Sequence, residues 1–82
     1  MKKLVEMIVR ALVDSPDEVN VREIEATNMK IFEIKVSKQD VGALLGKGGK
    51  NISALRIIVA AAGKGKRCMV EVIDGNRHRP RS

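Results

Sequence analysis

Leu44-Leu45-Gly46-Lys47-Gly48-Gly49-Lys50-Asn51-Ile52 is the stretch on which the reading of this chain turns. An apolar, helix-like segment leads into it from Val41 to Leu45, and a longer one leaves it from Ile52 to Ala62. Between them, residues 46–50 hold three glycines and two lysines. Glycine accepts positive φ and lets a second backbone come close where a Cβ would obstruct it. At the mouth of a helix, unpaired N–H groups and the positive end of the helix dipole attract anions. Lysines at the same place add charge that reaches a phosphate. A Gly-x-x-Gly turn between two helices therefore predicts a clamp for a phosphodiester backbone.

The flanks supply the remaining elements. Residues 2–14 predict an amphipathic helix whose inner stripe is Leu4, Ile8 and Leu12, widened by Val5 and Ala11. Asp14-Ser15-Pro16 ends it, since the residue before proline avoids helical backbone. Residues 18–26 predict a strand in which Val19 and Val21 share one parity and Ile24 and Ala26 the other, so a bulge or a late start is expected. Thr27-Asn28 makes a turn. Residues 30–37 alternate, with Phe32, Ile34 and Val36 inward and Glu33 and Lys35 outward. Ser37-Lys38-Gln39-Asp40 has the spacing of a capping box, with Asp in place of the usual Glu. After the Gly turn, Ile52, Leu55, Val59 and Ala62 form the buried stripe of a second long helix, with Ile58 at its edge and Gly63 as C-cap. A basic turn, Lys64-Gly65-Lys66-Arg67, leads to a last strand in which Cys68, Val70 and Val72 alternate. Gly75 to Ser82 is basic and without apolar residues, the composition of a disordered tail. The expected organisation is one domain over residues 1–74 and a tail over 75–82.

The length of 82 residues allows one core, and a domain this small gains from a partner chain. The net charge of +6 is uneven: residues 1–37 sum to −1 and residues 38–82 to +7, so the positive charge gathers on the half with the Gly turn. Phe32 is the only aromatic residue, which argues against folds that stack bases on an aromatic sheet. The Met1-Lys2-Lys3 start is interrupted by Glu6 and Arg10 with no cleavage site, and no run approaches the ~20 apolar residues of a membrane span. A cytoplasmic protein is expected. Cys68, the only cysteine, reads as a buried structural thiol. His78 has no ligand partners at metal spacing, and the Gly42–Gly48 stretch lacks both the length and the hydroxyl of a P-loop. No catalysis, cofactor, metal or small-molecule substrate is expected.

The pattern apolar-apolar-Gly-x-x-Gly-x-x-Ile, filled here by Leu44, Leu45, Gly46, Gly49 and Ile52, resembles the signature of KH domains. The order helix, strand, strand, helix, Gly turn, helix, strand is similar to that of the type II KH fold, which is α+β, a three-stranded sheet covered on one face by three helices. A free-standing domain of this size resembles the small bacterial KH-domain RNA-binding protein A family. The resemblance implies binding of single-stranded RNA, an RNA-chaperone role, and pairing as a homodimer or with a larger KH-domain protein. Carried onto this sequence, Gly46, Lys47, Gly48 and Gly49 hold the phosphates and Leu44, Leu45 and Ile52 floor the groove. Lys35 and Val36 form the opposite wall; Lys50, Asn51 and Arg56 add backbone or base-edge contacts. Leu45 and Ile52 read equally well as ordinary core. On the other side of the second long helix, Ala54, Ile57 and Ala61 offer a surface for close helix–helix contact, hence a dimer interface. A protein-assembly module and single-stranded DNA or ribosome-assembly binding remain as alternative readings.

Overall fold

The structure, a computed structural model, describes residues 1–74; the expected tail at 75–82 lies outside the described residues. Six regular elements follow in chain order: α1 (Lys2–Leu12), β1 (Asn20–Ala26), β2 (Met29–Val36), α2 (Val41–Leu45), α3 (Lys50–Ala62) and β3 (Arg67–Asp74). This is the expected α+β arrangement, a three-stranded sheet with three helices, consistent with a type II KH fold.

The two-residue turn Thr27-Asn28, with Asn28 at φ +62°, joins β1 to β2 as an antiparallel hairpin. The helical connection from β2 through α2 and α3 then returns β3 parallel to β2. A hairpin takes one side of β2 and a crossover the other, so the sheet order is β1-β2-β3 with β2 in the centre. Phe32, Ile34 and Val36 of β2 point into the core and are at most 1% exposed. They meet Val5 and Val9 of α1, Leu44 of α2 and Ile52, Leu55 and Val59 of α3 in one cluster, which places all three helices on one face of the sheet. Truncating a fully buried aromatic such as Phe32 to alanine costs about 3–5 kcal/mol.

Several local expectations are corrected. In α1 the buried residues are Val5 and Val9; Leu4, Ile8 and Leu12 are half-buried and Ala11 is exposed. The stripe is turned because valines at 5, 9 and 13 meet the sheet one per turn, while the bulkier Ile8 and Leu12 cover its rim. The parity change in β1 marks a late start at Asn20 and not a bulge, since pairing runs unbroken from Asn20↔Lys35 to Ala26↔Met29. Ile24 and Ala26 simply belong to the sheet's other face. Glu33 lies outward as expected but is only 8% exposed, flanked on the central strand by both neighbours, with Arg22 at 3.9 Å.

The capping box does not form. Residues 38–40 make a single 3₁₀ turn, which aims the Asp40 carboxylate away from Ser37 and toward the end of α1. There Asp40 Oδ1 accepts from the Asp14 N–H (3.2 Å) and Oδ2 from the Ser15 N–H (3.0 Å), tying the α1 exit to the α2 entrance. Ala62 is exposed, because the core under α3 ends one turn earlier at Val59. Gly63 does cap α3, yet its φ is −75°; the left-handed residues are Lys64 and Gly65. Glycine is needed at 63 for space, since a Cβ there would stand 2.7 Å from Cys68 Sγ. Cys68 itself is half-buried against the core.

Candidate nucleic-acid interface

The Gly turn is built by α2 stopping and α3 starting within four residues. The Gly46 N–H still bonds back to the Gly42 carbonyl (2.9 Å), which closes α2. Gly46 then swings to φ +79°, ψ 166°, a region essentially reserved for glycine. Residues 47–49 form one tight turn, closed by the Gly49 N–H on the Gly46 carbonyl at 3.0 Å. Gly48 and Gly49 are both left-handed, with φ of +63° and +79°. Three positive-φ positions in four residues explain why the sequence spends three glycines here.

Space adds a second demand at Gly46 alone. A Cβ at Gly46 would lie 2.8 Å from the Asn51 backbone nitrogen and 2.7 Å from Asn51 Cγ. The Asn51 side chain has no freedom to retreat, because its Nδ2 donates to the Ala43 carbonyl at 2.9 Å. That bond satisfies one of the carbonyls α2 leaves open at its C-terminus. Asn51 therefore staples the two helices across the turn. One N–H of the Asn51 amide, expected to add backbone or base-edge contacts, is thus engaged within the protein.

The tip of the turn faces water. Lys47, Gly48 and Lys50 are exposed, and Gly46 and Gly49 half-buried. Helix α3 begins with no acidic residue in its first turn and no side-chain cap, so no carboxylate competes with an incoming anion for its N–H groups. Arg56 is exposed further along α3.

The apolar positions divide. Leu44 is fully buried and Ile52 only 6% exposed, so both belong first to the core; Leu45 is half-buried and lies at the surface beside the turn. Val36 and Lys35 do not form the opposite wall. Val36 is 1% exposed inside the core, and Lys35, next to it on the central strand, points to the sheet face away from the helices. The edge strand that α2 touches is β3, whose half-buried Val72 shares the helix-side face. Sequence reasoning missed β3 as the strand beside α2 because strand order is not local in sequence. The hairpin-plus-crossover pattern was the signal that could have given it.

Ala54, Ile57 and Ala61 are all exposed on the outer side of α3, with Ile57 at 69%. Among the described residues no helix is long and apolar enough to cross a membrane.

Comparison with known proteins agrees with this geometry. The family model described as KhpA/KhpB, KH domain, matches residues 2–73. A protein of Clostridium perfringens named RNA-binding protein KhpA is 43% identical over 75 residues, covering 89% of this chain and 100% of the relative. The protein of that name from Thermotoga maritima is 39% identical over 74 residues, covering 89% and 99%. The one from Chlamydia trachomatis is 41% identical over 61 residues, covering 74% and 78%.

Proposed function

The chain belongs to the KhpA/KhpB KH-domain family, and from that premise we propose that it binds single-stranded RNA by gripping the sugar–phosphate chain with the turn Gly46–Gly49. The observation that carries this reading is the exposed, twice left-handed Lys47-Gly48-Gly49 tip set at the uncapped start of α3. Backbone N–H groups and the lysines at 47 and 50 meet the phosphates. Leu45 and the β3 edge flank the bases, with Leu44 and Ile52 supporting them from the core. Lysine and glycine between the outer glycines favour phosphate contact over base reading, so sequence preference is weak. A protein with this grip and little sequence preference suits an RNA chaperone acting in the cytoplasm. The names of the relatives support RNA as the partner.

The test is titration of a fluorescent single-stranded RNA with wild type and with a Lys47→Asp/Gly48→Asp variant. Gly48 has open space around it, and aspartate is among the few residues that tolerate its left-handed backbone, so the variant keeps the fold. Wild-type affinity falls with salt by a slope of about −0.7 per phosphate neutralised. Unchanged binding by the variant removes the clamp.

Ile57, exposed between Ala54 and Ala61, supports pairing through α3, either with a second copy or with a larger KH-domain protein. An Ile57→Glu variant that sediments as the wild type does, at every concentration, removes that second reading.

A further inference from the structure

The basic turn at residues 64–67 is left unused by the clamp. It stands at the far end of α3, about 20 Å from the Gly turn at 1.5 Å per helical residue. Its bland role is to complement the negative end of the α3 dipole. Lys66 is otherwise engaged: its Nζ donates to Glu25 Oε2 at 2.6 Å. Lys64 and Arg67 are exposed, and neither has a carboxylate partner among the described residues.

What lies between the two ends gives them a common purpose. Residues 41–70 contain six Lys/Arg and no Asp/Glu, in a chain with ten acidic residues elsewhere. On α3, Lys50, Ser53, Arg56 and Ala60 recur at spacings of three and four, so they share one side of the helix; Lys64 stands just past its C-terminal end, on left-handed backbone. Lys50, Ser53, Arg56 and Ala60 are all exposed. This side is cationic at its start and middle, has Lys64 and Arg67 just past its end, and carries no carboxylate that would repel a phosphodiester chain. Ile57, also exposed, falls between Lys50 and Ser53 around the helix, with Ala54, Ile58 and Ala61 on the adjoining side.

We propose that a single RNA strand held in the Gly turn continues along this side of α3, past Arg56, to a second phosphate contact at Lys64 and Arg67. This rests on the clamp reading above and extends it. The footprint is then longer than the about four nucleotides a GXXG loop holds. The far contact adds affinity only for strands long enough to reach it.

The experiment compares RNAs of about four and about twelve nucleotides, both within the usual range of single-strand site sizes. The proteins are wild type, Lys47→Asp, and a Lys64→Asn/Arg67→Gln double variant. Asparagine suits the left-handed backbone of residue 64 (φ +52°), and both positions are exposed, so thermal melting should be unchanged. The double variant is expected to bind the short RNA as wild type does and the long RNA more weakly. Its salt slope on the long RNA should shrink by about 0.7 for each phosphate that is no longer neutralised. Equal affinity and equal slope on the long RNA overturn the track while leaving the clamp intact. Lys47→Asp binding both lengths like wild type overturns the clamp, and the track falls with it.

Discussion

Replacing Gly46 with alanine tests the logic of the turn more sharply than any change to its charge. Gly46 sits at φ +79°, ψ 166°, where a Cβ is strained by about 1–3 kcal/mol whatever surrounds it. The added methyl also meets Asn51 N at 2.8 Å, and backbone cannot yield there without moving the start of α3. Moving the start of α3 in turn breaks the Asn51 to Ala43 hydrogen bond, worth about 1 kcal/mol. Together these give about 2–4 kcal/mol, a large share of the stability of a domain this size. Since 1 kcal/mol shifts the midpoint of so small a domain by about 4–8 °C, thermal melting should fall by on the order of 15 °C. Gly48→Ala is the control: its φ of +63° is strained, but no atom stands within 4 Å of the new methyl, so about 1–2 kcal/mol is expected. Calorimetry of the two variants decides the matter. Equal destabilisation, or a Gly46→Ala protein as stable as wild type, refutes the argument that close approach at Asn51 builds the turn.

Asp40→Ala strips the acceptor from the Asp14 and Ser15 N–H groups and should cost about 1–3 kcal/mol in denaturant unfolding, with Asp40→Asn losing less; no difference between the two contradicts the anchoring role. The Lys66 ammonium, hydrogen-bonded to Glu25, and then the charge of Lys30 hold the Glu25 carboxyl below its ordinary value. A lowered carboxylate contributes fully above its unfolded pKa and loses that contribution as pH falls through the folded one. Glu25→Gln should therefore flatten the acid limb of the stability–pH curve, by little because the pair is exposed; parallel curves for variant and wild type remove the effect.

Much of this architecture is legible from residue order alone, for identifiable reasons. Glycines at 46, 48 and 49 all take positive φ, so their spacing announces the turn directly. Phe32, Ile34 and Val36 alternate with a period only a strand satisfies, and all three are buried. The misreadings concern what is not local. The leucines at 4 and 12 outweigh the valines at 5 and 9 in hydrophobicity, yet the valines face the sheet, because the phase of a helix is set by what it packs on. Asp40 has a capping spacing with Ser37 but finds better partners 25 and 26 residues earlier in the chain. Lys35 and Val36 lie close to the Gly turn in sequence, but the strand beside α2 is β3, brought there by the crossover. The bond from Asn51 to the Ala43 carbonyl is not visible in residue order, because that carbonyl is left open only when α2 stops.

The central claim is that RNA is held at the Gly turn. Amide spectra of isotopically labelled protein titrated with a short single-stranded RNA test it at each backbone position. The account predicts the largest shifts from Gly46 through Ile52, with smaller ones along the β3 edge and none at Ile24 and Ile31 on the sheet's far face. Shifts centred on that far face, with residues 46–52 silent, contradict it.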